Sequence, residues 1–303
     1  MSQETYEEIL RLIIRRTFPL WEALGFHVTL NYWEEPVPDT RTLGDAIWNA
    51  RTELVGIRMN GEAQLKLLST FKSRYKGEYD AFPPHRTSDP HEFHLYNHSF
   101  ESVDAEVLYC MIRHFKPKRV IEIGSGNSTL LSAQAIRANQ VEDKDYSCEF
   151  TAIEPFPREF AWGEVPGLTR RVREKVEDVP LSEFEALGEN DILFIDSSHI
   201  LRIDNDVRFE YLEILPRLKR GVLIHCHDIF LPLEYPRNWY LKDHRFYTEQ
   251  YLLQAFLAFN DAFEVIWGST YMVDLHPDLV EEAFRSFERG KWLPGSLWMR
   301  RTA

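Results

Sequence analysis

The decisive stretch is RVIEIGSGNSTLL, residues 119–131. Its first five residues form a short run rich in β-branched Val120, Ile121 and Ile123, and Gly124 and Gly126 follow at once. Leu130, Leu131 and Ile136 then recur at helical spacing. A strand, a tight glycine turn and a helix in direct succession predict a unit of a parallel α/β sheet. The glycines let a ligand approach the backbone, whose N–H groups point outward at a helix start.

From this turn the pattern extends in both directions. Apolar runs return at 150–153, 171–176, 191–195 and 221–226, then near 263–272 and 296–299, with helical segments between them. Runs apolar on both faces predict strands covered by helices on both sides. Val207, Tyr211, Leu212, Leu215 and Leu218 mark the helix after the fourth run, and Gly221 closes it. Upstream, Val103, Val107, Leu108, Met111, Ile112 and Phe115 form a helical stripe that Pro117 ends. The first hundred residues read differently. They open with a helix carrying Ile9, Leu10, Ile13 and Ile14, pass through a stretch of prolines and aromatics, and return to helical pattern around Leu65, Leu67, Leu68 and Phe71. Residues 77–98 then hold three of the sixteen prolines and four histidines, His85, His91, His94 and His98. This loop chemistry predicts a lid or binding segment. The expected division is therefore a helical and loop extension over 1–100 and a core over 101–303.

The chain has 303 residues, of which 44% are hydrophobic and 27% charged, an ordinary globular balance. Its 35 Lys and Arg against 48 Asp and Glu leave a net charge of −13, which disfavours a nucleic-acid partner. No apolar run approaches the roughly 18 residues of a membrane span. The opening MSQETYEEILRLIIRR fits neither a signal peptide nor a transit peptide. Cys110, Cys148 and Cys226 stand apart, so neither a disulfide framework nor a cysteine zinc site is expected, and a reducing cytoplasm is. A homo-oligomer stays open.

In open α/β sheets ligands sit at the carboxyl ends of the strands. There the first strand places Glu122, Gly124, Ser125, Gly126, Asn127, Ser128 and Thr129. Thr129 stands where a dinucleotide fingerprint has its third glycine, and no tyrosine has a lysine four positions on, both against a nicotinamide cofactor. Glu154 ends the second run, 28 residues beyond Gly126, where a carboxylate accepts hydrogen bonds from ribose hydroxyls. Glu177 and Asp178 follow the third run, within reach of an adenine amino group. The fourth ends in Asp196-Ser197-Ser198-His199 and the fifth in His225-Cys226-His227-Asp228. His225 and His227 alternate along a strand and so share a face. Histidines and carboxylates converging on one edge are the chemical centre of the chain.

These stretches resemble the class I S-adenosylmethionine-dependent methyltransferases, and within them the bacterial methyltransferase family 24. The similarity lies in VIEIGSGNSTLL, FTAIEPFP, DILFIDSSHI and GVLIHCHDIFLPLEYP, continues in YLLQAFLAFNDAFEVIW and GSLWMRR, and spans roughly residues 100–301. It implies a Rossmann-like sheet of seven strands whose last strand inserts antiparallel beside the fifth. It also implies S-adenosylmethionine as cofactor, with Glu122, Gly124 and Gly126 around its methionine part and Glu154 on its ribose. Residues 1–100 would then form the acceptor pocket or lid.

A fainter similarity is to catechol O-methyltransferase and its relatives, which hold a divalent metal at the ends of the fourth and fifth strands. By that likeness Asp196, His227 and Asp228 would be the ligands. His227 in place of a carboxylate departs from the pattern and turns the expectation from Mg²⁺ towards Mn²⁺, Fe²⁺ or Zn²⁺. The expected reaction is O-methylation of a small molecule, with His199, His227 and Asp228 as catalytic groups and His199 or His227 as base. Two alternatives stay open: a metal-dependent hydrolase using Asp196, His199, His227 and Asp228, and a non-catalytic nucleotide-binding scaffold.

Overall fold

The computed structural model describes residues 3–157, 164–291 and 293–303. The chain forms two compact units. The smaller comprises Met1–Asn49 and Pro236–Phe246. It contains the helix Gln3–Ala23 and two short helices, Asp45–Asn49 and Arg237–Leu241. Within it, Arg237 reaches Asp45 at 2.9 Å, and the rings of Trp48 and Tyr240 lie 5.5 Å apart.

The larger unit, Ala50–Tyr235 with Tyr247–Ala303, holds the sheet. Its strands are β1 (Arg119–Ile123), β2 (Glu149–Ile153), β3 (Arg170–Val172), β4 (Ile192–Ile195), β5 (Leu223–His227), β6 (Phe263–Gly268) and β7 (Ser296–Arg301). Their order is β3-β2-β1-β4-β5-β7-β6. β1 to β5 are parallel, while β7 runs antiparallel between β5 and β6. This is the seven-stranded, mostly parallel α/β sheet expected. Side chains alternate across it, as a strand's period of two requires. Val120, Phe194, Leu223 and Trp298 join one core; Ile121, Ile195, Ile224 and Met299 join the other. His225 stacks on Phe194, which places His225, and with it His227, on the first face.

Three sequence expectations shift. The apolar run at 263–272 is a strand only to Gly268, after which Ser269–Leu275 is helical. The helix following β4 is not one regular element. An α turn, Asp206–Phe209, passes into a π stretch, Glu210–Ile214, and a 3₁₀ turn, Leu215–Arg217. The wider π turn rotates the stripe, so Leu212 faces out and Glu210 is buried. The boundary near 100 also falls inside the larger unit. Helix Gly61–Tyr79 buries Leu68, Phe71, Tyr75 and Tyr79, and the proline-rich segment behind it buries Phe82 and Phe93. Gln64 accepts from the backbone N–H of Gly268, and Asn60 donates to the carbonyl of Val265, each at 2.9 Å, which ties this helix to β6. Its aromatic anchors outweigh a loop-like composition. Among the described residues no helix is long and apolar enough to cross a membrane.

Candidate active site

The glycine turn is shaped by its neighbours. The N–H of Gly124 donates to the carbonyl of Ile153, and that of Asp196 to the carbonyl of Ile123, both at 2.9 Å, so the ends of β1, β2 and β4 meet here. Gly124 has a φ of +87°, and a Cβ on it would lie 2.0 Å from the carbonyl oxygen of Asp196. Only glycine fits.

Beyond it, the side chains of the turn face inward. Ser128 donates to Glu122 at 2.6 Å, Asn127 donates to Ser99 at 2.7 Å, and Thr129 accepts from the N–H of Gly126 at 3.0 Å. What the start of helix Asn127–Glu142 offers a ligand is therefore backbone. Glu122 is buried, and burial pushes its carboxyl up to about 8 against hydrogen bonds from Ser128 and Thr129. Its second oxygen and the hydroxyl of Ser125 have no partner, an unmet demand that a bound polar group would satisfy.

Glu154 accepts from the N–H groups of Phe156, at 2.7 Å, and Ser125, at 3.3 Å. It borders a pocket of about 310 Å³ together with Gly124, Glu177, Asp196 and Ser197. Asp178 does not line this pocket, whereas Lys175 and Arg202, which sequence reasoning passed over, do.

The ends of β4 and β5 bring Asp196, His199, His227 and Asp228 together. His199 has a left-handed backbone, φ +60°, and its carbonyl accepts from the N–H groups of Thr248, at 2.9 Å, and Glu249, at 3.1 Å. Its ring is held equally firmly. Nδ1 lies 2.8 Å from Glu249 Oε2, and Nε2 lies 3.1 Å from Asp196 Oδ1 and 3.5 Å from Asp228 Oδ2. Both nitrogens face carboxylates, so both donate, which is the imidazolium form. Burial opposes that charge, but the hydrogen bonds to Asp196 and Glu249 and the charge of Asp228 raise the imidazole well above its ordinary value. Asp196 responds in turn: burial raises its carboxyl, but His227 and His199 outweigh it and lower it to about 2. Burial raises Asp228, and the two histidines offset part of that rise.

His227 is buried against Phe100, with ring centres 5.0 Å apart. Its Nε2 lies 3.7 Å from Asp228 Oδ1, while Nδ1 has no partner. Burial lowers this imidazole, but Asp196 and Asp228 win and leave it above its usual value. His225 is the contrast. Stacked 4.0 Å from Phe194 and driven down by burial and by His227, it is a neutral core residue.

Among the described residues no group of three or more His, Cys, Asp and Glu is arranged to hold a metal ion. Asp196, His227 and Asp228 are neighbours, but His199 Nε2 stands between the two carboxylates. Sequence reasoning also missed Glu249, Tyr211 and Glu210. Glu249 is wholly buried and receives the hydroxyl of Tyr211 at 2.8 Å. Glu210 receives the hydroxyl of Ser197 at 3.1 Å, and burial next to Glu249 raises it well above the carboxylate range. In sequence Glu249 reads as an ordinary acid in a first helical turn, and Tyr211 as one member of an apolar stripe.

Residues 121–229 match the model of a protein family, methyltransferase 24, described as a methyltransferase domain. Over 192 residues the chain is 30% identical to an uncharacterized protein of Archaeoglobus fulgidus, a match covering 61% of this chain and 84% of that one. Among solved structures it is similar to a CmcI apo structure, at 15% identity over 67% of this chain and 72% of that chain, with a TM-score of 0.40. It is also similar to an O-methyltransferase from Bacillus cereus in complex with SAH, at 12% identity over 79% of this chain and 91% of that chain, with a TM-score of 0.39.

Proposed function

We propose that this chain, which belongs to methyltransferase family 24 of the class I S-adenosylmethionine-dependent methyltransferases, methylates an oxygen of a small molecule, with His227 as the base. The observation that carries this reading is the position of His227 at the end of β5, its Nε2 3.7 Å from Asp228 and its imidazole above the ordinary value despite burial.

The residues fit S-adenosylmethionine. Gly124 lines the pocket beside Glu154, and the free oxygen of Glu122 and the hydroxyl of Ser125 await a polar group. In this reading Glu122, Gly124, Ser125 and Gly126 hold the methionine part, with backbone from Asn127, Ser128 and Thr129. Glu154 takes the ribose, Glu177 lies towards the adenine, and Asp196 and Ser197 close the pocket. When bound, the cofactor supplies a methyl group on a sulfonium, open to in-line displacement. The protein must position the acceptor oxygen, exclude water and remove one proton. His227 accepts the hydroxyl proton, and Asp228 beside it stabilises the imidazolium that forms. His199, with both nitrogens on carboxylates, is not available as a base and serves to orient Asp196 and Asp228. A hydrolase would leave the pocket that Gly124 and Glu154 line without a role.

The test is turnover of S-adenosylmethionine to S-adenosylhomocysteine with a panel of phenols, catechols and aliphatic hydroxy compounds, followed by NMR location of the methyl group. An O-methyl product is expected. A methyl found only on nitrogen or carbon would overturn the oxygen assignment.

A further inference from the structure

We propose that the His199 imidazole is the built-in cation of this site, filling the place between the β4 and β5 carboxylates that a divalent ion would otherwise take. Two carboxylates at adjacent strand ends repel one another unless a positive group lies between them. Here that group is Nε2 of His199, 3.1 Å from Asp196 and 3.5 Å from Asp228. A metal ion would have to displace it, because an oxygen-ligated divalent ion needs both carboxylates at about 2.0–2.6 Å.

The surrounding fold opposes that displacement. Glu249, at the start of helix Glu249–Leu257, grips Nδ1 at 2.8 Å. Tyr211 fixes Glu249 from the far side at 2.8 Å. The same helix start holds the His199 carbonyl through two backbone N–H groups, and Thr248 Oγ1 accepts the N–H of Leu201 at 2.8 Å. Ring and main chain of His199 are thus secured from one element, and swinging the ring out would leave Oε2 of the buried Glu249 without this partner. Glu249 and Tyr211 are accordingly positioning residues that do not meet substrate. Asp196 and His227, relieved of metal ligation, are left to serve the pocket and the acceptor. This inference deepens the methyl-transfer reading and rests on it for the role of the site.

The experiment reads Mn²⁺ binding by electron paramagnetic resonance and thermal unfolding by calorimetry, on the full chain freed of any polyhistidine tag. The parent protein is expected to bind no Mn²⁺ at the strand ends, and His199→Ala to bind it at least tenfold more tightly while still unfolding cooperatively. His199→Asn, which preserves a hydrogen-bonding side chain, is the second variant should the alanine protein not fold, and the same gain is expected. Chelator treatment of the parent should leave turnover and melting temperature unchanged. Stoichiometric Mn²⁺ binding by the parent that Asp196→Asn or Asp228→Asn removes would overturn the proposal, as would no gain in either His199 variant. Failure of the methyl-transfer reading looks different: no acceptor oxygen is methylated whatever the Mn²⁺ result.

Discussion

A Cβ placed on Gly124 would sit 2.0 Å from the carbonyl oxygen of Asp196. The glycine turn after β1 and the end of β4 thus pack directly on one another. Gly124→Ala must shift one of them, and φ of +87° adds strain for any L side chain. We expect at least a hundredfold loss of S-adenosylhomocysteine affinity by calorimetry, with a lower melting temperature. Unchanged affinity would mean that the turn does not contact the cofactor.

Beside the ribose role proposed for it, Glu154 holds the N–H groups of Ser125 and Phe156. Glu154→Ala removes charge-assisted hydrogen bonds worth roughly 1.5–3 kcal/mol each. S-adenosylhomocysteine binding should weaken at least about tenfold, and binding of NAD should stay far weaker than either. A variant that binds like the parent would remove Glu154 from the ribose site.

Glu122 makes stability depend on pH. Its folded carboxyl titrates at about 8, above its ordinary value of 4.5. Between those limits the folded chain holds a proton that the unfolded chain has lost, so stability from this group falls as pH rises from about 4.5 to 8. Glu122→Gln abolishes that fall. Without added cofactor its melting temperature should exceed the parent's at pH 9 by roughly 3 °C or more and lose the advantage at pH 5. Parallel melting profiles across that range would contradict the buried, protonated Glu122.

The same logic, with the opposite charge, applies to His227 during turnover. Asp196 and Asp228 hold its imidazole above the ordinary range despite burial. A base works only when unprotonated, so the single-turnover rate should climb through one ionisation above about 6.5 and then level. His227→Gln should cost about 10²–10⁴-fold in rate, flatten that profile and spare S-adenosylhomocysteine binding. A profile that survives the substitution would move the base elsewhere.

Within the larger unit, residues from Leu68 to Phe100 share a core with the sheet. Phe71 is fully buried there, and Phe71→Ala should cost about 3–5 kcal/mol, read as a drop in melting temperature. A chain begun at Ser102 would expose the face that Leu68, Phe71, Tyr75, Phe82 and Phe93 cover, and should be insoluble. A soluble truncation active on the native acceptor would show that the segment is dispensable.

What the sequence determined by itself was whatever depends on neighbours in the chain. The strand, glycine turn and helix at 119–131, the repeat of apolar runs, and the carboxylates and histidines at strand ends follow from periodicity and turn chemistry, which are local. The same locality explains the errors. Leu212 looked like a core residue because a stripe was projected on a regular helix, and the π turn that buries Glu210 in its place leaves no mark in composition. Only the tertiary structure decided how His199 is used. Its partners come from three separate places, Asp196 three residues before it, Asp228 just past the end of β5 and Glu249 fifty residues on. A histidine at a strand end reads the same whether it is a base, a ligand or a clamped cation. The distinction lies in how many carboxylates converge on its two nitrogens, and long-range packing sets that number.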